Sequence, residues 1–465
     1  MVRLTPLRSL CVSLVICLLL TFPLISKILD RQRGYDLLDP QFKSDRQPLS
    51  DDVPYGIKCS PFAAGVMDKV TIVLKMGAGE VSTRLPAYLN RLGRCGQDIL
   101  LFSDRQDRYD GLEIHDALAN LDPKYRHDNP DFEMYDQYND DASQQQRVHD
   151  NDGKEKSRKG WRLDKYKFLP MMEFTRHLRP KSHWFVFIEL DTYVNWDNMH
   201  RFLVRFDPAT PYYFGSPVWP HKKPIFAHGG TGFVLSSAAL DKLVAGGSKF
   251  VGRSKKDRSS YLPGTHLFGK DMQHECCGDE VLAGVLKESG VTLRGYWPMF
   301  NGEKPTTARF GREQWCEAIL TLHHLDTEDF LELQRWEQTT TSSRRDRSKP
   351  LTFEELFFGL VEPLIRDRRE DWTNMSEDVV YDEDDKNRAG KSYEACLKAC
   401  TANERCIQFE HFGHTCRLSY DIRLGHRQLP NGGKRWTSGW LMERIHDFKA
   451  SHSPCNGAHI VHANP

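Results

Sequence analysis

Neither sign of charge is in excess in this 465-residue chain, which carries 64 basic and 64 acidic residues. The molecule as a whole is therefore not steered to nucleic acid. The pair Gly77 and Gly79 is no dinucleotide fingerprint, and the twelve cysteines include no Cys-x₂-Cys pair of the kind that zinc modules use. Hydrophobic residues make up 39% of the chain and charged residues 28%, which suits a soluble body with a core and two or three domains.

Long apolar runs are missing except at the N-terminus. The run from Leu10 to Ile25 is almost uncharged, long for a signal-peptide core and slightly short for a spanning helix. No convincing small-x-small cleavage site follows it. We therefore expect an uncleaved transmembrane signal anchor over residues 10–29, with a cleaved signal peptide as the alternative. Residues 1–9 would form a cytoplasmic tail, and the polar residues 30–65 would form a stem.

The cysteines indicate an oxidising compartment. Ten of the twelve follow the apolar run, and four of these lie between residues 396 and 416. An even, clustered set is typical of lumenal proteins. Asn374-Met375-Ser376 is a glycosylation sequon that fits the same side of a membrane. We expect a single-pass type II protein with its body in the lumen.

The folded body is predicted to begin at Lys69 as a parallel α/β sheet. Val70–Leu74 is a candidate buried strand, Ser82–Leu92 has helical spacing, and Asp98–Phe102 is a second strand. Strand, helix and strand in this order are typical of such a sheet. Residues 136–160 are polar and of low complexity, which predicts a flexible insertion.

A helix is predicted over Trp161–His177, with a kink or a break at Pro170 because proline removes a helical hydrogen bond. The lysines of this helix, Lys165 and Lys167, lie near the expected phosphate end of the sheet. We interpret them as solvated helix lysines rather than as ligands.

Two acids follow the strongest strand candidate. The apolar run Trp184–Ile188 ends in Glu189 and Asp191, and open α/β sheets bind ligands at the carboxyl ends of their strands. Two oxygen donors at this spacing suit Mn²⁺ or Mg²⁺, which would hold a substrate phosphate. The alternative is that both acids are ordinary turn residues, and the spacing alone favours neither interpretation.

Three later segments place polar residues at the ends of predicted elements. The run His228–Ser236 contains three glycines, which let backbone approach a ligand closely or merely form a tight turn. Asp279 and Glu280 open a helix, where the backbone dipole favours acids, and either residue could instead act as a general base. His323, which precedes His324 at a strand end, is a metal ligand or a polar edge residue.

Taken in order, these segments resemble the β-1,3-glycosyltransferase family that contains Fringe and the core 1 galactosyltransferases, across roughly residues 69–335. The acid triplet of that family is matched by Glu189–Val194, and its Gly-Gly-x-Gly motif by Gly229–Ser236. Its acidic motif with a later glycine is matched by Asp279–Gly284, and its late histidine motif by Thr321–His323. The Gly-Gly motif is the most specific of the four.

The resemblance implies a fold and a reaction. A GT-A-type, Rossmann-like mixed sheet flanked by helices would form a catalytic domain over residues 66–375. The enzyme would be an inverting hexosyltransferase of the Golgi or ER membrane. It would move a galactose or N-acetylhexosamine type of sugar from a UDP-sugar to a glycan or glycoprotein, with a β-1,3 linkage. Asp191, His323 and Glu189 would hold Mn²⁺ or another divalent cation such as Mg²⁺.

The resemblance also implies roles for the remaining site residues. Glu280 would act as the base, with Asp279 as its rival, and Asp104 would lie at the uridine. The turn that shapes the sugar and acceptor pocket would contain Gly229, Gly230 and Gly232. The family usually has aspartate where Glu189 and Glu280 stand, which keeps a catalytically decayed lumenal carbohydrate-binding protein open as an alternative. A metal-dependent hydrolase would fit the acids but not the Gly-Gly motif.

The C-terminal cysteines are predicted to staple a small module over residues 391–445, after a linker over 376–390 and before a tail over 446–465. Four cysteines allow three pairings, and zinc is a competing interpretation. The module resembles a PAN/Apple domain, which implies a small α+β fold and the nested bonds Cys396–Cys416 and Cys400–Cys406. Its role is carbohydrate or protein binding, or structural only.

Overall fold

The computed structural model describes the chain in segments that fall into two compact units. These segments are residues 66–92, 98–121, 123–140, 160–250, 272–344, 349–382, 384–385, 388–458 and 463–464. The larger unit draws on Pro54–Ala308, Arg312–Leu360 and Pro454–Pro465, and the smaller on Arg309–Gly311 and Val361–Ser453. The tail, signal anchor and stem expected over residues 1–65 lie outside the described residues, as do residues 141–159. Within the described segments, no helix is both long and apolar enough to cross a membrane.

Twelve strands occur in the described part of the larger unit. They are β1 Val70–Lys75, β2 Ile99–Ser103, β3 Asp107–Tyr109, β4 Leu112–Asp116, β5 Trp184–Glu189, β6 Tyr193–Val194, β7 Tyr213–Gly215, β8 Pro217–Val218, β9 Phe226–Ala227, β10 Phe233–Ser236, β11 Leu293–Gly295 and β12 Thr321–Leu322. Eight of them form one sheet in the order β11-β7-β10-β5-β1-β2-β4-β3.

The large sheet is mixed. Strands β5, β1, β2 and β4 run parallel to one another, whereas β10 is antiparallel to both β5 and β7. In the register of the two central strands, Ile72 lies opposite Val186. The carboxyl ends of β1, β2 and β5 therefore meet at one edge of the sheet. The predicted α/β class with a mixed sheet is confirmed.

The described part of the larger unit also contains α-helices. They are α1 Leu85–Leu92, α2 Glu133–Asp140, α3 Phe168–Leu178, α4 Trp196–Leu203, α5 Ser237–Phe250, α6 Gly278–Glu288, α7 Thr327–Ser343 and α8 Phe353–Leu356. Short 3₁₀ turns occupy Val66–Lys69, Ala78–Glu80, Pro123–Tyr125, Pro130–Phe132 and Lys165–Lys167, and a π-helical turn over Phe357–Val361 follows α8.

Both faces of the sheet are covered, as strands without polar alternation require. One face packs against α3, α5 and α6 through Phe102, Phe187 and Phe233, which belong to a single apolar cluster. On the opposite face, the Phe202 ring of α4 meets Phe214 at 5.1 Å between ring centroids. Burying one such aromatic side chain contributes roughly 1.5–3 kcal/mol.

The helix predicted from Trp161 begins differently in the structure. Residues 160–164 are helical, a 3₁₀ turn follows over Lys165–Lys167, and α3 starts at Phe168. Pro170 is therefore in the first turn of α3, where its missing N–H has no helical acceptor to lose. The break precedes the proline instead of occurring at it.

The smaller unit is an antiparallel sheet with two helices. Its strands are β13 Arg368–Glu370, β14 Trp372–Thr373, β15 Val379–Asp382, β16 Gln408–Phe412, β17 Thr415–Ser419, β18 His426–Arg427 and β19 Trp436–Trp440. Five of them form a sheet in the order β13-β19-β16-β17-β15. Its helices are α9 Tyr393–Ala402, capped by the Ser392 hydroxyl, and α10 Met442–His452. The sheet thus includes β15, within the stretch expected to be a linker.

Candidate functional site

A short strand pair brings the predicted metal ligands together. β6 begins two residues after Asp191 and pairs with β12, which directly precedes His323, so that Tyr193 lies opposite Leu322. The N–H of Leu325 donates to the carbonyl oxygen of Asp191 at 3.2 Å and closes the loop. As a result, Nε2 of His323 lies 3.3 Å from Oδ1 of Asp191.

His324 completes a group of three possible ligands. One ligand atom each from Asp191, His323 and His324 lie within 4.8 Å of one another. Successive side chains of a strand normally point to opposite faces, but His324 has a left-handed backbone with φ of 61°. With this backbone conformation, the imidazoles of His323 and His324 lie at the same site although the residues are consecutive. Two imidazole nitrogens and one carboxylate oxygen suit divalent transition ions such as Mn²⁺.

The polar atoms of His323 fit a bound cation. The side chain is buried, and among the described residues neither of its ring nitrogens has a partner in hydrogen-bonding geometry. A buried nitrogen without a hydrogen-bond partner lowers the stability of the fold unless a ligand or ion contacts it. A cation between His323 and Asp191 would satisfy it.

Electrostatics at the site favour the ligand forms of Asp191 and His324 but the protonated form of His323. Burial opposes charge on both His323 and Asp191, yet their mutual attraction raises the pKa of the imidazole and lowers that of the carboxyl. Burial, reinforced by the charge on His323, lowers the pKa of His324 to about 4 and that of His228 to about 3. His324 is thus neutral at neutral pH, and a metal ion would compete only with the proton on His323.

The Gly-Gly turn lies against this group. A methyl group on Gly230 would come within 2.4 Å of the His323 ring, so only glycine leaves room for the imidazole. The Thr192 hydroxyl donates to the carbonyl of Gly230 at 2.7 Å and ties the turn to the acidic loop. Gly232 has a φ of 84°, a conformation that glycine adopts readily.

The two acids of α6 have different environments. Asp279 is buried, and its carboxylate accepts from the N–H of Gly229 at 2.8 Å and from the N–H of Glu280 at 2.9 Å. Burial raises the pKa of Asp279, while the N–H of Gly229 opposes the shift. Glu280 instead points its Oε1 toward Nζ of Lys223, 2.5 Å away. Asp279 therefore joins the helix to the Gly-Gly turn, and Glu280 carries the more available carboxylate.

A buried network of ion pairs fills the carboxyl ends of β1, β2 and β5. Lys75 pairs with Asp164 and with Oε1 of Glu189 at 3.0 Å. Lys167 pairs with Asp104 at 3.0 Å and with Asp164 at 3.4 Å. Glu189 thus faces a lysine, and it is not among the three grouped ligands.

Asp104, predicted to lie at the uridine, is 2% exposed and its contacts are internal. Its Oδ1 accepts from the N–H of Ala78 at 2.9 Å, which fixes the turn after β1. The interpretation of Lys165 and Lys167 as solvated is wrong, because both are buried. Lys165 pairs with Asp131 at 3.0 Å.

The cysteines and the sequon of the smaller unit lie in its core. Cys396 is bonded to Cys416 and Cys400 to Cys406, and all four are fully buried. Asn374 is also fully buried, with its amide nitrogen donating to the carbonyls of Phe409 and Gly439. A glycan would replace a hydrogen of that nitrogen and need space that the folded unit lacks. Glycosylation at Asn374 stays a prediction that peptide mass spectrometry can test.

Sequence reasoning assigned no role to three residues that the structure places beside predicted ones. His324 had a signal, since it directly follows His323. Lys75 also had one, as the single charged residue at the end of the buried strand β1. Lys223 had none, because its partner Glu280 is 57 residues away in the chain.

Comparison with known proteins finds a similarity over part of the larger unit. Residues 131–261 match the family model described as Fringe-like. The predicted resemblance is thereby confirmed for a stretch that contains Asp191 and the Gly-Gly turn.

A curated relative adds a narrower likeness. Over 66 residues the chain is 38% identical to the glycoprotein-N-acetylgalactosamine 3-beta-galactosyltransferase 1 of Xenopus laevis. This match covers 14% of the chain and 18% of that relative.

Proposed function

We propose that the chain is an inverting, metal-dependent glycosyltransferase that moves a hexose from a UDP-sugar to a hydroxyl of a glycan or glycoprotein. The observation that carries the proposal is the meeting of Asp191 and His323 at 3.3 Å, against the Gly230 turn. The Fringe-like match and the galactosyltransferase relative support the class. A β-1,3 linkage and a galactose or N-acetylhexosamine donor are the finer proposals.

Asp191, His323 and His324 would hold the divalent cation, and Mn²⁺ fits their nitrogen and oxygen donors. When bound, such a cation binds the diphosphate and neutralises the charge that grows on the leaving group. We assign Glu189 a supporting role, because its carboxylate is engaged by Lys75. Gly229, Gly230 and Gly232 would let the backbone approach the sugar.

Glu280 would accept the proton of the acceptor hydroxyl as its oxygen attacks the anomeric carbon. Asp279 would hold the Gly-Gly turn in place, since both of its oxygens accept backbone N–H groups. This division of roles makes Glu280 the catalytic carboxylate and Asp279 a positioning residue.

The remaining proposals concern fold family and location. A GT-A-type fold is supported by the parallel strands whose carboxyl ends carry the site. A PAN/Apple-like assignment of the smaller unit is supported by its stapled helix α9 on an antiparallel sheet. A Golgi or ER membrane protein of type II orientation is supported by the apolar run in residues 10–29 and by the disulfides.

The test is metal-dependent binding and transfer with a matched acid control. Calorimetry would measure UDP binding with and without Mn²⁺, and product analysis would follow turnover of UDP-galactose, UDP-N-acetylglucosamine and UDP-N-acetylgalactosamine. We expect Asp191→Ala to lose both signals and Asp107→Ala, an exposed acid on edge strand β3, to retain them. Equal activity of wild type and Asp191→Ala would refute the metal role. No metal-dependent UDP binding, with glycan binding retained by residues 391–445 alone, would favour the decayed carbohydrate-binding alternative.

A further inference from the structure

A lysine on a hairpin loop lies directly against the proposed base. β8 and β9 form this hairpin, with Val218 opposite Phe226, and β9 continues into the Gly-Gly turn. Residues 219–225 form its loop, in which Lys222 has a left-handed backbone with φ of 63°. Both ends of the loop are thus anchored beside the site.

The pair of Lys223 with Glu280 restrains the base. Nζ of Lys223 lies 2.5 Å from Oε1 of Glu280 and 3.5 Å from Oε2 of Glu275. The ammonium group occupies the place beside Oε1 where an acceptor hydroxyl would have to lie. Glu280 can therefore take a proton on this oxygen only after Lys223 has moved away.

Lys223 can leave this ion pair at little cost because its side chain is open to solvent. The Lys223 side chain is 46% exposed, whereas that of Glu280 is 10% exposed. Ion pairs with one partner this open to water contribute little to stability. An anion that approaches from solvent can consequently take over Lys223 while Glu280 stays in place.

The same loop carries an aromatic side chain suited to a sugar. Trp219, four residues before Lys223, is 59% exposed. Large indole rings are seldom this exposed, and their flat apolar face with a polar edge suits the C–H face of a pyranose ring. The loop therefore combines a surface for a sugar ring with a cation.

We propose that Lys223 selects glycan acceptors that carry an anionic group, a carboxylate or a sulfate, next to the reacting hydroxyl. This inference rests on the proposed transfer reaction. The acceptor anion pairs with Lys223, and Glu280 then takes the hydroxyl proton. The acceptor oxygen forms its bond to the anomeric carbon as the bond from that carbon to the diphosphate breaks, and the electron pair leaves with UDP.

Paired acceptors test the selection. 4-Nitrophenyl β-glucuronide carries a carboxylate where the β-glucoside has a hydroxymethyl group, and the galacturonide and galactoside differ in the same way. The 6-sulfated galactoside gives the sulfate arm. Wild type, Lys223→Gln and the neighbouring control Lys222→Gln are compared by the ratio of kcat/KM for anionic over neutral acceptors. Hydrolysis of the UDP-sugars by water is measured in parallel, since it needs no acceptor.

We expect wild type and Lys222→Gln to prefer an anionic acceptor by about fivefold or more. Lys223→Gln should lower this ratio to about one, with neutral acceptors used as well as before or better. Equal ratios in wild type and Lys223→Gln would overturn the inference. If the ratios are equal but hydrolysis of the UDP-sugars persists, the role of Lys223 in acceptor selection is refuted and the proposed function is not. Absence of both donor hydrolysis and metal-dependent UDP binding would remove the proposed function and this inference with it.

Discussion

Replacing Gly230 by alanine should disturb His323 more than the proposed metal site tolerates. The new methyl carbon would lie 2.4 Å from Cε1 and 2.5 Å from Nε2 of the imidazole, where real contacts are essentially never below 3.0 Å. The ring would have to move by about 0.6 Å, from 2.4 to 3.0 Å. Metal–ligand distances in proteins hold to about 0.2 Å, so the displacement exceeds what a shared cation allows.

We expect Gly230→Ala to bind Mn²⁺ at least about tenfold more weakly, as disturbed ligand support typically does. It should also lose about 1–3 kcal/mol of unfolding free energy through overpacking. Calorimetric titration with Mn²⁺ and denaturant unfolding would measure the two effects. Gly284→Ala is the matched control, because a methyl group there meets nothing within 4 Å. Because residue 284 lies inside α6, Gly284→Ala should raise the free energy of unfolding by about 0.5–1 kcal/mol. Unchanged Mn²⁺ affinity in Gly230→Ala would refute the placement of His323 as a ligand.

Two further predictions concern buried charges. Burial, opposed by the Tyr193 hydroxyl, raises the pKa of Glu337 to about 7; the folded state therefore binds more protons than the unfolded chain. Glu337 alone should contribute a fall of roughly 3 kcal/mol in unfolding free energy from pH 4.5 to pH 8, and denaturant titrations of wild type and Glu337→Gln should differ in their pH dependence by this amount. Lys167→Met should cost about 3–5 kcal/mol in urea unfolding, because it leaves Asp104 buried without its cation. Lys181→Met at an exposed turn should change stability by less than about 0.5 kcal/mol, and equal losses in both variants would contradict the network.

Local composition predicted the central elements because burial on both faces leaves a continuous apolar signal. β5 was evident from Trp184–Ile188, and the acids after it followed from where such sheets place ligands. The helix before β5 was predicted less well. Proline indicated a kink at Pro170, but the helix breaks at Lys165–Lys167, where the lysines turn into the buried network.

Pairings between distant segments escaped sequence reasoning for a physical reason. Lys75 and Asp164 are 89 residues apart, and nothing in the local pattern of either one records the other. The second imidazole was missed because an ordinary strand would point His324 away from His323, and only its left-handed backbone brings them together. Such conformations depend on tertiary contacts around the residue rather than on its neighbours in sequence.

The two departures from the resembling family now have a shared explanation. At positions 189 and 280 that family usually has aspartate, whereas this chain has the longer glutamate. Glu189 reaches Lys75 at 3.0 Å, and Glu280 reaches Lys223 at 2.5 Å. We infer that each added methylene moves a carboxylate toward a lysine of this chain. At Glu189 the lysine is buried, and the pairing would turn a ligand position into a counter-ion. At Glu280 the lysine is exposed, and the pairing would leave the proposed base available to an acceptor that displaces the lysine.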